Sequence, residues 1–312
     1  MKSILKNAGP RLGARPPAAI EISSDGVLAA ALPSGGQSPV YAFEPLPGGA
    51  LLPGIAEANV RAPEVLAAAI REALSQVSPR SRSITMVVPD TVVRVFVLDF
   101  DSLPAKPAEA YPVLRFRLRK MVPFDVEHAA VSYQILVENK KECKVLAAVL
   151  PGPVLAEYES AVRAAGYEPG VVLASSLAAL ESVDSLEATL IANLSGVALT
   201  TLIATGQNLL LYRTLDLPEN PALRQDEVRR GVAVAAAYYE DKLGAKPIRL
   251  HFAGSFRAAD RAGNNPTQAF AWWIDDPELS VVDLAPAPQT GSVSSLGNAS
   301  IAGVTGALTG VR

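Results

Sequence analysis

The sequence predicts an α/β protein of two related lobes that face each other across a cleft, with a small subdomain inserted into the first lobe. The main observation is a three-strand meander that occurs twice, at residues 19–43 and 190–212. In each copy a short apolar strand, a tight turn, a second strand, a Gly-containing turn and a third strand follow one another. The second observation is a segment with a different residue pattern, residues 91–150, between the two copies.

Each meander is followed by a helix and a further strand. After the first copy a helix begins at Pro63, because proline is favoured at the first helical position. Its apolar residues recur at helical spacing: Leu66, Ile70, Leu74 and Val77. Residues 83–88 then predict a buried strand. After the second copy, residues 226–243 predict the longest helix and residues 248–253 another buried strand. This order of elements is typical of an α/β lobe.

The segment between the two copies predicts a small α+β unit. Residues 91–100 are β-branched and aromatic, which favours a strand. Residues 108–121 are compatible with both a strand and a helix. Apolar and basic residues alternate in the middle of this segment, as in a strand, whereas other apolar residues recur at helical spacing. Pro112 favours the helix. Residues 130–137 and 145–150 predict two further strands joined by a charged turn.

These patterns divide the chain into four parts. Residues 1–17 form a flexible, basic N-terminal arm. Residues 18–88 and 171–187 form the first lobe, residues 89–170 the inserted small subdomain, and residues 188–312 the second lobe.

Composition excludes several classes of function. A net charge of −3 over 312 residues gives no general attraction to nucleic acid or to anionic lipid. One cysteine, Cys143, excludes an internal disulfide and favours a reducing compartment, and with only two histidines we expect no Cys/His zinc site. We find no secretory signal and no membrane span. The expected location is therefore the cytoplasm, with a membrane reached only through a partner.

The common catalytic and phosphate-binding motifs are missing from the sequence. There is no GxxxxGK[ST] loop, no GxGxxG loop and no GxSxG nucleophile elbow. One charged motif does stand out, a basic run in the inserted segment made of Arg115, Arg117, Arg119 and Lys120. It is either a solvated face or a contact for acidic partner groups or lipid headgroups beside an anchored partner. With only Phe116 interleaved it does not favour nucleic acid.

The duplicated turns resemble the phosphate-binding turns of the actin-like ATPase superfamily. In that superfamily each turn has an Asp, a spacer and a Gly, and the glycine lets backbone amides approach phosphate. Here Glu21 stands at the acidic position of the first turn and Ser23 at the glycine position. In the second turn Asn193 and Ser195 stand there, with Gly196 one place late. Asn193 brings no charge and a serine Cβ obstructs close approach, so the turns predict weak or lost ATP binding.

A third element of the superfamily, a glycine-containing turn beside the adenosine, is matched by the sequence Phe252-Ala253-Gly254-Ser255. The candidate cofactor-binding residues of the cleft are Glu21, Ser23, Ser24, Asp25, Gly26, Asn193, Ser195, Gly196, Gly254 and Ser255. The resemblance makes ATP and Mg²⁺ the candidate cofactors, although the residues themselves require none.

Within that superfamily the chain resembles the PilM group of type IV pilus assembly proteins. The order and spacing of several short motifs match this group from about residue 18 to residue 255. These motifs are Leu51-Leu52-Pro53-Gly54-Ile55, Val87-Val88-Pro89-Asp90, Met121-Val122-Pro123-Phe124 with Ser132-Tyr133-Gln134, and Ala165-Gly166-Tyr167-Glu168-Pro169 before Ser175, Leu177, Ala178 and Leu180. Related proteins are the cell-division protein FtsA and the cytoplasmic part of the secretion protein GspL.

The resemblance implies a duplicated, ribonuclease H-like actin fold and a cytoplasmic scaffold at the inner face of a bacterial inner membrane, serving a pilus or secretion machine. In that group the groove between the first lobe and the inserted subdomain receives the cytoplasmic N-terminal segment of PilN, a single-pass membrane protein. A PilN-like protein is thus the expected partner, bound by main-chain pairing and a few apolar pockets. The candidate partner-binding residues are Val88, Pro89, Arg115, Leu118, Val122 and Phe124.

The alternative is an active ATPase or a sugar-kinase-like phosphotransferase of the same superfamily. Such an enzyme needs a carboxylate that organises the metal ion and a catalytic acid or base in the cleft. Glu21 and Asp25 are the only candidates in the first turn, and the second turn has none. We therefore expect a binding protein rather than an enzyme, and assign no catalytic residue and no metal ligand.

Overall fold

The computed structural model describes residues 15–33, 38–56, 58–139, 142–183, 187–206, 208–256, 265–286 and 299–309. Its strands are β1 (Ala18–Ile22), β2 (Gly26–Ala31), β3 (Val40–Pro45), β4 (Ser83–Val88), β5 (Arg94–Phe100), β6 (Ala130–Glu138), β7 (Cys143–Leu150), β8 (Glu168–Ala174), β9 (Ala188–Leu194), β10 (Ala198–Thr205), β11 (Asn208–Asp216), β12 (Arg249–Gly254) and β13 (Ser280–Asp283). Its helices are α1 (Pro63–Val77), α2 (Pro107–Leu118), α3 (Gly152–Ala164), α4 (Ser175–Leu180), α5 (Pro221–Leu243), α6 (Pro266–Ile274) and α7 (Ala302–Leu308).

Two five-stranded sheets share one topology. The first has the order β3-β2-β1-β4-β8 and the second the order β11-β10-β9-β12-β13. In each sheet three antiparallel strands form the meander, and two more strands run parallel to its first strand. The two-lobed α/β architecture predicted from the repeated meander is confirmed.

Helices cover both faces of the first sheet, which is why its central strands are largely apolar. Side chains of alternate residues point to opposite faces. Val27 and Ala29 pack toward α1, whereas Leu28 and Ala30 pack toward α7. The apolar face predicted for α1 is buried in this core, and the helix ends at Ser78 in the left-handed conformation.

Helices α5 and α6 cover the outer face of the second sheet. Helix α5 begins at Pro221, five residues before the predicted start, because the Asn220 side chain accepts a hydrogen bond from the Ala222 amide (3.0 Å) and caps the helix. The inner face of this sheet, including Ile191 and Leu202, joins the same apolar cluster as the first sheet. Both lobes therefore share one continuous core.

The inserted segment forms a third, antiparallel sheet with the order β5-β7-β6. Its two faces have different partners. Phe96, Leu98 and Phe100 of β5 pack toward α2, while Val95 and Val97 pack toward the core that both lobes share. The ambiguous segment 108–121 is thus largely the helix α2, whose buried residues Ala110, Leu114 and Leu118 keep helical spacing.

At two places, helices and strands pack with a different part of the chain from the one expected from the domain boundaries. Helix α3 packs on α1, and β8 pairs with β4. Residues 152–174 thus accompany the first sheet, although most of them were expected in the 89–170 subdomain. Helix α7 also packs against the first sheet, although residues 188–312 were expected to form the second lobe. The division into domains otherwise stays a prediction.

The N-terminal arm reaches the first sheet at its last residues. Arg15 is buried, and its guanidinium donates a hydrogen bond to the Gly306 carbonyl (3.2 Å). The rest of the arm, residues 1–14, lies outside the described residues. Among the residues that are described, no helix has both the length and the apolar character that crossing a membrane requires.

Close packing of α7 depends on glycine. A Cβ at Gly306 would overlap the backbone carbonyl of Ala178 in α4. We expect Gly306→Ala to lower the free energy of unfolding by about 2 kcal/mol, since overpacking outweighs the gain in helix propensity. Chemical denaturation measures this. Gly48→Ala is the matched control, because no atom lies within 4 Å of a Cβ built there. Equal stability of the two variants would contradict the packing argument.

Candidate functional site

The candidate site is the cleft where the turns of the two large sheets meet. Nine of the ten predicted cofactor-binding residues line one cavity there, together with Pro89, Asp90 and Ser175. The tenth, Gly26, is not among the lining residues; a Cβ at this position would overlap Phe43 and the Glu44 carbonyl. The glycine is thus needed for the close approach of β2 and β3. The structure brings the predicted residues together, and their role as a cofactor site stays a prediction.

The two turns are equivalent down to their hydrogen bonds. The Ser23 amide donates to the Gly26 carbonyl (2.9 Å), and the Ser195 amide donates to the Ala198 carbonyl (2.8 Å). Each serine hydroxyl also bonds within its own turn, Ser23 to Gly26 (3.1 Å) and Ser195 to Ala198 (3.2 Å). The serines at the glycine positions therefore stabilise the turns themselves, and each hydroxyl is already engaged.

Asp90 is the centre of a buried polar network that joins the two lobes. It lies two residues after the end of β4 and is only 8% exposed. Its carboxylate accepts hydrogen bonds from the Ser176 amide (2.9 Å), the Ser176 hydroxyl, the Asn193 amide group (3.3 Å) and the Tyr212 hydroxyl (3.0 Å). Asn193 and Tyr212 belong to the second sheet. The Asp90 network thus fixes the first lobe to the second by charge-assisted hydrogen bonds.

Asn193 and Tyr212 are oriented as donors in this network. The Asn193 amide group also donates to the hydroxyls of Ser175 (3.0 Å) and Ser176 (2.9 Å). Burial, followed by the nearby Asp90 charge, raises the pKa of Tyr212 well above its ordinary value, so its proton is retained. Asn193, predicted as a nucleotide-turn residue, is thus occupied in holding the lobes together.

Glu21 lies beside this network and is partly buried at the wall of the cavity. Its carboxylate accepts a hydrogen bond from Ser175 (2.6 Å), and Gly303 of α7 packs directly against it. Burial raises the pKa of Glu21 to about 7; the Asp90 charge adds to the shift, and the hydrogen bond from Ser175 opposes it. Near neutral pH, Glu21 is therefore a mixture of the acid and the carboxylate.

The described side chains that line the cavity include acidic groups and no basic one. Glu21, Asp25 and Asp90 line it, whereas none of its described lining residues is Lys, Arg or His. The described residues also contain no group of three or more His, Cys, Asp or Glu side chains arranged to hold a metal ion. The described residues that line the cavity thus supply mainly hydroxyl and carboxyl groups.

Gly254 and Ser255, predicted as the adenosine turn, bring strands and lobes together. Gly254 has φ of 103°, and a Cβ there would overlap the backbone of Leu194 in β9. The glycine is therefore required by strand packing. The Ser255 hydroxyl donates to the Asp25 carboxylate across the cleft (3.3 Å), and this is a second polar link between the lobes.

The predicted partner-binding residues do not form one surface. Val88 is fully buried at the end of β4 in the first sheet, and Pro89 lines the cleft. Leu118 is fully buried between α2 and the small sheet, and Val122 and Phe124 pack against that same core. Arg115 donates to the carbonyls of the loop at residues 126–129. The residues on and after α2 therefore lie on the face of the small sheet turned away from the first lobe.

Sequence reasoning missed Asp90, Ser175, Ser176 and Tyr212 as residues of the cleft. A signal for the first two was available. Strands β1, β4 and β8 run parallel, so the residues after each of them meet at one edge of the sheet, as ligand-binding residues of parallel sheets do. Asp90 follows β4 and Ser175 follows β8. Tyr212 has no such position, since it lies in the middle of a strand.

Two sheets of the same order around a cleft give the chain an actin-like, two-lobed fold. The chain is similar over 97% of its length to a chain of the PilM–PilN type IV pilus biogenesis complex, all of which is covered, at 18% identity and a TM-score of 0.73. Two further structures match with TM-scores below 0.5. The cytoplasmic domain of EpsL, an inner-membrane component of the Vibrio cholerae type II secretion system, is 12% identical (86% and 98% covered, TM-score 0.48). A Bacteroides thetaiotaomicron protein with an actin-like ATPase fold is also 12% identical (88% and 94% covered, TM-score 0.49).

No protein-family model and no curated protein sequence matches the chain. At 18% identity the similarity to the PilM–PilN chain establishes a common fold. The resemblance predicted from short motifs, to a PilM-like protein of the actin-like superfamily, is confirmed at the level of the fold.

Proposed function

We propose that this protein is a cytoplasmic scaffold of a type IV pilus or related secretion platform, held at the inner face of the inner membrane by a PilN-like partner. The observation that carries the proposal is the similarity to the PilM–PilN chain, which includes the small third sheet and extends over nearly the whole of both chains. Fold similarity by itself does not define a function. The chemistry of the cleft provides the second, independent support.

The cleft supports binding without catalysis. Its polar groups are used by the Asp90 network and by the turns themselves, and the described lining residues bring no positive charge. The two lobes also share one apolar core, so opening the cleft would expose buried apolar surface. For these reasons we propose that ATP binding is weak or lost and that the protein acts by holding partners.

A titration with Mg-ATP tests this part of the proposal. We expect isothermal calorimetry to detect no binding tighter than about 1 mM, a limit that corresponds to only about 4 kcal/mol of binding free energy. The same titration should be made with Asp90→Asn, because this substitution weakens the link between the two lobes while the turns at Ser23 and Ser195 stay intact. Tight binding by the unmodified protein, with measurable phosphate release, would favour the phosphotransferase alternative.

The partner segment would bind along the boundary between the small sheet and the shared core. On this side of the small sheet Val97, Leu136 and Ala148 pack against the core and keep part of their surface exposed. They lie on β5, β6 and β7 and face β11 of the second sheet, which contacts both edge strands. We name Val97, Leu136 and Ala148 the inner-face residues. Edge strands and partly exposed apolar side chains are what an extended peptide uses.

A binding experiment separates the two faces of the small sheet. We expect a synthetic peptide of a PilN-like cytoplasmic segment to bind, and Leu136→Ala to weaken it about tenfold by removing an apolar anchor. Phe124→Ala removes a side chain of similar exposure on the opposite face and is the matched control. Circular dichroism checks that both variants are folded. Loss of binding in Phe124→Ala alone would move the site to the α2 side, as the sequence predicted.

A further inference from the structure

Helix α2 carries apolar residues on two opposite faces. Ala110, Leu114 and Leu118 are fully buried against the small sheet. On the other face, Phe116 is 64% exposed and Val113 is 38% exposed. The buried apolar face of α2 is accounted for by its packing on the small sheet. Packing on that sheet does not account for the apolar residues on the opposite, exposed face.

The structure separates the basic run of this helix into residues with and without a partner. Arg115 is structural, since its guanidinium donates to the carbonyls of Val126, Glu127 (3.4 Å) and Ala129 (3.2 Å). Arg119 forms an ion pair with Glu127. Arg117 and Lys120, by contrast, make no ion pair with any described residue. Lys120 Nζ lies 5.5 Å from the centre of the Phe116 ring, within the range of a cation–π contact.

The unpaired cations and the exposed apolar residues lie on one side of the helix and its C-terminal turn. Val113, Phe116 and Arg117 belong to α2, and Lys120 follows in the turn that ends it, with its Nζ beside the Phe116 ring. The four residues are separated by the intervals of three and four that align side chains on a helix surface. We call these four residues the α2 surface. At the N-terminal end of the same face, Lys106 is neutralised by Glu109 (3.4 Å). The free positive charge is therefore concentrated around Phe116 and Val113.

We propose that the α2 surface is a docking site for an acidic amphipathic helix of a partner protein. An apolar side chain of that helix would pack over Phe116 and Val113, and carboxylates on either side of it would pair with Arg117 and Lys120. Arg117 can bind a carboxylate through two parallel hydrogen bonds. An apolar centre flanked by charged residues is the usual arrangement of a protein interface, in which arginine and aromatic residues contribute most of the affinity.

A protein helix fits this surface better than a lipid bilayer does. Basic segments that recognise anionic membranes carry about four to eight Lys or Arg residues. The α2 surface has two unpaired cations, and exposed carboxylates of Asp125 and Glu127 lie just beyond it in the same subdomain. The two cations and the two apolar side chains of the α2 surface together match one face of a partner helix of three to four turns.

The chain itself does not supply this acidic helix from its longest undescribed segments. Residues 1–14 contain three basic residues and no acidic one, and residues 287–298 contain no charged residue. The occupant is therefore a separate partner molecule. The proposal does not depend on the function proposed above, because the α2 surface and the inner-face residues lie on opposite sides of the small sheet.

The test uses the full chain and a designed probe. The probe is a fluorescent peptide of about four helical turns with leucines along one face and glutamates on both flanks; the control peptide has lysines in place of the glutamates. We expect saturable binding of the acidic peptide by fluorescence anisotropy, weakened about tenfold by Phe116→Ser and by Lys120→Glu, and weakened by added salt. The lysine peptide should not bind.

Matched controls make the outcome decisive. Trp272→Ser removes an aromatic side chain of nearly equal exposure, 63%, from the second lobe and should leave binding unchanged. Leu136→Ala, on the inner face, should also leave it unchanged. Because the substituted α2 side chains are exposed, thermal unfolding should match that of the unmodified protein. Equal binding of both peptides, no effect of Phe116→Ser, or no saturable binding would overturn the proposal. Sedimentation with phosphatidylglycerol vesicles that depends on Phe116 would replace the protein partner by a membrane.

Discussion

Replacing Asp90 with alanine is expected to lower the free energy of unfolding by about 3 kcal/mol, one of the two largest effects we predict. The substitution removes an acceptor of four hydrogen bonds: Ser176 and Tyr212 lose the bonds that they donate to Asp90, and Asn193 keeps only its bonds to Ser175 and Ser176. Urea denaturation followed by circular dichroism measures the loss. Because two of these donors lie in the second sheet, the variant should also expose more of the cleft in hydrogen exchange.

Asp25→Ala is the matched control for Asp90→Ala. Asp25 is the same residue type in the same cleft, but it is exposed and accepts one hydrogen bond across the cleft, from Ser255 (3.3 Å). We expect it to change stability by no more than about 0.5 kcal/mol. If the two alanine variants unfold at the same urea concentration, the Asp90 network does not hold the lobes together.

Glu21 is expected to make the protein less stable as the pH rises from about 4.5 to about 7. Burial raises its pKa from 4.5 to about 7 in the folded state, so in this interval the folded protein keeps a proton that the unfolded chain has released. Stability from this group is complete below pH 4.5 and is lost as the pH passes the folded pKa. The shift corresponds to about 3 kcal/mol.

Glu21→Gln removes the ionisation and keeps the shape of the side chain. We expect the variant to be more stable than the unmodified protein at pH 8, by up to about 3 kcal/mol, and close to it at pH 4.5. Unfolding free energies measured in urea at both pH values give the difference. Glu64→Gln, exposed on α1, is the control and should leave the pH dependence of the unmodified protein unchanged. A parallel pH profile in Glu21→Gln would exclude Glu21 as the source.

The architecture was predictable because short patterns in the sequence indicate its helices, strands and turns. The repeated meander, the apolar face of α1 and the glycine at position 254 are each readable within a few residues. Even the equivalence of Ser23 and Ser195 follows from aligning the two copies of the meander. Local patterns of this kind depend on strand and helix periodicity, which the tertiary fold rarely overrides in long elements.

The cleft network could be predicted only in part, because its members are far apart in the chain. Asp90 lies 86 residues from Ser176 and 122 residues from Tyr212. Parallel strand order could have pointed to Asp90, as noted above, but the partner that a buried carboxylate finds depends on how two lobes dock. No periodicity within either lobe contains that information.

The side of the small sheet on which a residue lies could not be predicted either. Strand β5 is apolar on both faces, with Val95 and Val97 on one and Phe96 and Phe100 on the other. A strand buried on both sides shows no alternation from which its orientation could be inferred. Assigning Leu118 and Phe124 to the groove required knowing which face α2 covers, and the sequence does not show this.

The position of α7 has a consequence for the order in which the protein is made. Residues Ala19, Leu28 and Val87 of the first sheet are buried by Ile301, Val304 and Leu308, which a ribosome adds only after the whole second lobe. During synthesis, one face of the first sheet therefore stays uncovered until α7 emerges. An uncovered apolar face on a nascent chain is a target for chaperones and a site of aggregation. A helix that is translated after the second lobe thus completes the first.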